Sequence, residues 1–348
     1  MNKRLWLLGV SLAIIATILF LLQEPAPIQR QGLGNAPELQ GIAGYINTDN
    51  ITISELVGKN VILIDFWTYT CINCQRTLPY LTMWDKTYRD DGLVIIGVHT
   101  PEFEFEKKYD NVLSAAKKWN IQYPVVLDND YQTWRAYANR YWPHKYLIDV
   151  DGNVVYDHVG EGGYAETEQR IQEELMKLMQ RRGGSNGIEK PTTLPAEAVT
   201  VEFSRIRTPE IYFGYGFPRG NIPSYASATP EQPHTFTDPD PTDLNAVALT
   251  GTWTVGKDGA ELVSDNGRVS LLYDAKVVNI VASGTSPITV HWDTKTPGDA
   301  HGASIDDNGN GPINDETLYE LINAPGDGPH RIDIAAPKGV TLYTFPFG

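Results

Sequence analysis

Two cysteines, and only two, occur in 348 residues. They stand three apart, as Cys71-Ile72-Asn73-Cys74. On a helix, residues at that spacing lie one turn apart, within disulfide reach. There is no third cysteine for a structural bridge, so the pair is free to switch between dithiol and disulfide. A zinc site would want further thiolates or histidines close by, and the chain has no other cysteine to give.

The flanking sequence positions the pair. Val61-Ile-Leu-Ile-Asp-Phe-Trp67 reads as a buried strand. After a short polar turn, Leu78, Leu81 and Trp84 recur at helical spacing. Cys71 therefore falls where a strand gives way to the first turn of a helix. Unpaired backbone N–H groups and the helix dipole favour a thiolate there. Cys74 lies one turn deeper.

Further elements follow in order. Ile51–Ile53 reads as a short strand, with Ser54 as cap of a helical turn. Leu93–Val98 is a second buried strand. Glu104–Trp119 reads as a helix with Phe105, Tyr109, Val112, Leu113, Ala116 and Trp119 on one face. Pro124–Leu127 is a strand, and Tyr131–Tyr141 a helix. Lys145–Val150, Asp151-Gly152-Asn153 and Val154–Tyr156 form a hairpin pattern. Glu166–Gln180 carries an apolar stripe of Ile171, Leu175, Leu178 and Met179. Strands alternating with helices and ending in a hairpin predict an α/β domain with a mixed sheet over residues 38–182.

Residues 183–197 read as a linker. From 198 to 348 helical periodicity vanishes. Short β-type runs appear at Gly251–Val255, Arg268–Tyr273, Val277–Ala282, Ile288–Trp292, His330–Ile334 and Leu342–Phe345. They predict an all-β sandwich, jelly-roll-like. At the other end, Leu5–Leu22 is uncharged and apolar or small, and follows Lys3 and Arg4. At ~1.5 Å per residue it spans ~27 Å, enough for a bilayer core. Residues 1–37 are thus expected to be a transmembrane helix and tether. The basic flank stays inside and the bulk of the chain lies on the periplasmic or extracytoplasmic side. A cleaved signal peptide is the rival reading.

Hydrophobic residues make up 41 % of the chain, enough for two cores, and the net charge is −15. That charge disfavours nucleic acid and anionic membrane surfaces as partners.

Several residues together resemble thioredoxin: Asp65-Phe66-Trp67, Cys71 and Cys74, Pro79, and Trp142-Pro143 before a strand. The inserted strand and helix at 124–141 resemble the TlpA-like branch, which serves cytochrome c maturation. The Trp-Thr-Tyr-Thr-Cys-Ile-Asn-Cys run, His99-Thr-Pro-Glu-Phe103 and the β domain resemble the extracytoplasmic part of DipZ proteins. The resemblance implies a thiol–disulfide oxidoreductase whose only redox group is the Cys71–Cys74 disulfide. Cys71 would attack and Cys74 would resolve the mixed disulfide. Asp65 would accept the Cys74 proton, and Glu102 would stand near the cysteines. Pro143 would be cis, turning the Trp142 backbone toward the substrate. Trp67, Tyr69, Thr70 and Trp142 are expected to line the substrate rim. DipZ proteins also carry a multi-span electron-conducting domain. This chain shows one hydrophobic segment, so its electrons are expected from a separate CcdA- or DsbD-like membrane partner. The neutral Ile72-Asn73 pair between the cysteines favours a reductant of protein disulfides over an oxidant.

Two other function classes bear on the same residues. A thiol peroxidase would place Thr68 three residues before Cys71. It would also place a proline seven before it, where Ile64 stands. A carbohydrate- or protein-binding surface module, with the redox domain accessory, is the non-enzymatic alternative. Asp306, Asn308 and Asn310 fit the opening of a calcium loop. Thr317 takes the place of its bidentate glutamate, and an Asp/Asn-rich surface turn is the alternative.

Overall fold

The computed structural model describes residues 34–184, 194–217, 220–326 and 328–348. The apolar run Leu5–Leu22, most of the tether and most of the linker lie outside the described residues. Among those described, no helix is long and apolar enough to cross a membrane.

The first unit contains β1 (Tyr45–Ile46), α1 (Ile53–Leu56), β2 (Val61–Trp67), α2 (Ile72–Tyr88), β3 (Leu93–His99), α3 (Tyr109–Lys118), β4 (Val125–Leu127), α4 (Gln132–Ala136), β5 (His144–Ile148), β6 (Val154–Val159) and α5 (Tyr164–Arg181). The strands form one sheet in the order β1-β4-β3-β2-β5-β6. β2 runs parallel to β3 and antiparallel to β5. Every residue of β2 is buried, because both faces of the sheet are covered. The period of two sends Val61, Leu63 and Trp67 to the face packed by α2 and α5, with Leu78, Leu81 and Leu175. Ile62, Ile64 and Phe66 go to the opposite face. Asp65 shares the first of these faces, beneath the cysteines.

Three local expectations shift. Ile51 is not in a strand; α1 starts at Ile53, and Thr52 rather than Ser54 caps it. The Glu38 carboxylate completes that cap by accepting from the N–H groups of Ile53 (2.7 Å) and Ser54 (3.0 Å). The helix expected over 104–119 breaks at Lys108, which is extended, into a 3-10 turn at Glu104–Lys107 and then α3. Phe103 and Phe105, ahead of the break, pack on Tyr343 of the second unit. The helix expected over 131–141 is confined to Gln132–Ala136.

The second unit holds β7 (Ile211–Tyr212), β8 (Pro233–Thr237), β9 (Val247–Val255), β10 (Ala260–Leu262), β11 (Asn266–Asp274), β12 (Val277–Ser283), β13 (Ser286–Trp292), β14 (Asn310–Ile313), β15 (Thr317–Asn323), β16 (Pro329–Pro337) and β17 (Thr341–Phe345). The expected two-sheet sandwich is instead one continuous sheet of 11 strands. The physical reason is β9. Its first half pairs with β11 and its second half with β10, so the hydrogen-bonded path never breaks. Gly251 sits at the changeover with φ +100, where a Cβ would meet the Asn266 carbonyl at 2.9 Å. The ends of the path also approach each other. Gly302 and Ser304 donate to Leu321 and Glu320 of β15, while Asp306 donates to Asn310 of β14. One core fills the curl, from Trp253 and Leu271 to Ile280 and Leu321.

The units are docked against each other. Tyr212 and Val281 belong to the same buried cluster as the first unit's Trp84 and Phe105, with Phe217, Leu318 and Tyr343 packed on it. Tyr343 stacks edge-on against Phe105, centroids 4.6 Å apart.

Candidate active site

Cys71 is the N-cap of α2, and its Sγ accepts from the Cys74 N–H at 3.3 Å. Its own N–H donates to the Thr68 carbonyl, and its carbonyl receives the Gln75 N–H at 3.0 Å. Sγ thus lies where α2 presents its free N–H groups. Cys71 is partly exposed, Cys74 is buried, and both thiols are free. Burial pushes the Cys74 thiol well up; the adjoining Cys71 sulfur and then Asp65 push it further. Losing a proton from Cys74 therefore needs a nearby acceptor.

Asp65 is the carboxyl whose charge acts on that thiol. It is 1 % exposed, and burial raises its carboxyl from an ordinary 3.8 to about 7, against the pull of Lys145. Its Oδ1 has no hydrogen-bond partner among the described residues. Lys145 lies directly across from it in the β2–β5 register. Lys145 is also fully buried, its Nζ donating to Gly160 O at 3.2 Å. Burial lowers its pKa, which Asp65 and then Cys74 partly restore. A carboxyl poised near neutrality on the face beneath Cys74 can take and return a proton.

The Trp142–Pro143 peptide bond is cis, as expected. Trp142 is half-buried. Its indole N–H donates to Thr100 O, and its ring packs on Trp134 at 4.3 Å.

The residues expected on the rim are a correction. Trp67, Tyr69 and Thr70 are 0 %, 5 % and 1 % exposed. Trp67 packs edge-on against His99 at 5.1 Å, and Tyr69 stacks on the same ring at 5.8 Å. Trp67 is sealed inside the first unit, Thr70 bonds Glu106 there, and Tyr69 is covered by the second unit. The Tyr69 hydroxyl donates to the Glu316 carbonyl at 2.9 Å. The Glu316 carboxylate holds Lys108 at 2.7 Å and the Asn111 amide at 2.9 Å. His99 is buried and its pKa falls to about 3, so the ring is neutral.

Glu102 is half-buried and its carboxylate accepts from the Tyr212 hydroxyl at 2.7 Å, across the seam. The carboxylate tied to the cysteine loop is Glu106, which the sequence reading passed over. It is fully buried. It accepts from the Thr70 hydroxyl at 2.5 Å and from the N–H groups of Glu102 and Phe103 at 2.5 and 3.0 Å. Burial raises its pKa, while these donors oppose the rise. A glutamate three residues after Phe103 is a capping-type spacing, the one sequence signal available. Lys145 was legible too, as a lone charge opening an apolar strand.

The residues offered as a calcium loop make hydrogen bonds within and beside the loop. The Asp306 carboxylate accepts from the Asn310 N–H at 2.7 Å, and the Asn310 side-chain oxygen accepts from Thr289. Asn308 donates to Asp307. Among the described residues, no group of three or more His, Cys, Asp or Glu side chains is gathered for a metal.

Residues 35–157 match the AhpC/TSA family, and 208–348 match the family described as thioredoxin like C-terminal domain. The first unit is a thioredoxin-like domain. Protein DipZ of Mycobacterium bovis is 36 % identical over 328 residues, covering 92 % of this chain and 44 % of DipZ. The chain therefore spans less than half the length of that relative. Thiol-disulfide oxidoreductase YkuV of Bacillus subtilis is 28 % identical, over 39 % of this chain and 90 % of its own. ResA of Halalkalibacterium halodurans, of the same description, is 28 % identical over 51 % of this chain and 96 % of its own. A dithiol at a helix N-terminus, over a carboxyl near neutrality, is chemically fit for the exchange those two names describe.

Proposed function

We propose that the protein is a thiol–disulfide oxidoreductase that reduces disulfides of other proteins. The reading rests on one observation: Cys71 is open at a helix N-terminus, while Cys74 is sealed beneath it beside Asp65. In the reductive direction the Cys71 thiolate attacks a substrate disulfide and expels one substrate thiolate. Cys74 then loses its proton toward Asp65 and attacks Cys71 Sγ, expelling the second. The substrate gains two electrons and the protein closes its Cys71–Cys74 disulfide. Two electrons from a donor thiol must reopen it. A membrane partner of CcdA or DsbD type fits that need, because the chain has no further cysteine to pass electrons on.

Within this reading the chain is anchored by Leu5–Leu22, with both units on the extracytoplasmic side. Apocytochrome c, a protein whose thiols must be kept reduced, is a fitting substrate. Reduction of insulin disulfides by the purified protein tests the activity. The wild type should act and Cys71→Ser should not. A couple near −270 mV or lower marks a reductant, and one near about −120 mV an oxidant. Peroxide consumption that depends on Cys71 would instead favour the thiol peroxidase. Carbonate-resistant association with membranes tests the anchor.

A further inference from the structure

Ile72 and Asn73, the residues between the cysteines, form one wall of a cleft of about 600 Å³. The facing wall belongs to the second unit and includes Phe203, Ile206, Pro346 and Phe347. Phe203 is 50 % exposed, on a short turn over Phe203–Arg205. It is an aromatic side chain held half in water at the mouth of the cleft. The charged groups on the rim are engaged: Arg207 with Asp274 at 3.3 Å, and Glu210 by the Thr344 hydroxyl at 3.2 Å. About half of what the cleft offers an incoming chain is apolar surface, with Phe203 and Ile206 open to it, and the rest is polar.

The chemistry dictates what lies there during turnover. In a mixed disulfide the substrate cysteine's Cα stands about 5.5–6 Å from that of Cys71. Its neighbours in an extended chain follow at about 3.3 Å per residue. Where the substrate backbone crosses the first turn of α2, side chains one or two residues from its cysteine come within reach of this cleft. We infer that the second unit is a specificity wall: the cleft receives a bulky apolar side chain beside the reacting cysteine of a protein substrate. The inference rests on the proposed oxidoreductase activity and adds the class of substrate segment preferred. It gives the second unit a part in recognition, not only in packing.

The test uses two synthetic peptide dimers, each joined through its single cysteine and differing only in Leu or Ser at both flanking positions. Because the dimers are symmetric, either sulfur attacked carries the same sequence. The pre-reduced full chain is mixed with each dimer and the single-turnover rate is measured below saturation. The wild type should favour the Leu dimer about five-fold, the effect of taking part of one apolar side chain out of water. Phe203→Ala should erase the preference, Phe203→Leu should keep most of it, and the Ser-dimer rate should stay the same in all three. Equal rates for the two dimers in the wild type would overturn the inference while leaving the activity intact. So would a preference that survives Phe203→Ala, or a loss on Phe203→Ala that is equal for both dimers. Failure of the wild type to reduce either dimer would instead remove the parent reading, and the inference with it.

Discussion

Replacing Asp65 by Asn removes a carboxyl that the fold holds in an unfavourable place, and the cost of holding it there depends on pH. The carboxyl titrates at 3.8 when solvated and at about 7 in the folded protein. The native state therefore binds the proton more tightly than the unfolded chain does. Its stability falls as pH rises between those two values and levels off above the upper one. At about 1.36 kcal/mol per pKa unit, the full penalty above pH 8 is on the order of 4 kcal/mol, of which somewhat under half is already present at pH 5. Other carboxylates titrate alike in both proteins and cancel. Lys145, whose pKa burial lowers and Asp65 partly restores, pulls stability the opposite way, more so in the variant at the lower pH, which adds to the widening. The advantage of Asp65→Asn over the wild type should thus widen by roughly 2–3 kcal/mol from pH 5 to pH 8. Urea unfolding of the reduced proteins measures it, with pulsed alkylation of Cys74 at a common pH reporting the opening of the first unit directly. The gain in stability should come with a loss in rate. Resolution of the Cys71 mixed disulfide should slow about 100-fold near neutrality, the scale of a missing general base. An advantage that is the same at both pH values would refute the claim that burial, rather than some fixed local contact, sets this carboxyl's behaviour.

Cys74→Ser should accumulate a covalent Cys71–substrate adduct, visible by mass spectrometry, whereas Cys71→Ser should form none. In the native dithiol protein, iodoacetamide should label Cys71 and leave Cys74 protected until denaturant is added. Glu106→Ala strips the acceptor from the Thr70 hydroxyl and from the N–H groups of Glu102 and Phe103. It should lower stability by about 3 kcal/mol, since each buried donor left unpaired costs about 1–3 kcal/mol; the denaturation midpoint reads the change. Tyr69→Phe removes only the hydroxyl bonded to Glu316 and should cost about 1 kcal/mol by the same measurement.

The sequence by itself determined the parts governed by local pattern. The uniform burial of Val61–Trp67, the placing of Cys71 at the first turn of α2, the Asp151-Gly152 hairpin and α5 all follow from period and turn chemistry, which act over a few residues. So does the pairing of chemistry with place: two thiols at i and i+3 on a helix start, and an acid in phase with Val61, Leu63 and Trp67 on the strand beneath. Strands whose pattern is diluted escaped. β15 carries Glu320 within its run, and β7 is only Ile211–Tyr212, made a strand by its partner Thr344–Phe345.

What only the tertiary structure decided involves residues far apart in the chain. Lys145 lies opposite Asp65 because an antiparallel register sets it there, 80 positions on. Trp67, Tyr69 and Thr70 look like rim residues from their closeness to Cys71, yet His99 packs on Trp67, Glu106 holds Thr70, and Glu316, 247 positions away, covers Tyr69. Whether the β runs make two sheets or one depended on β9 changing partners at Gly251. Local propensity does not encode which neighbours a strand will have on each half of its length. Burial and register do, and they exist only once the chain has folded.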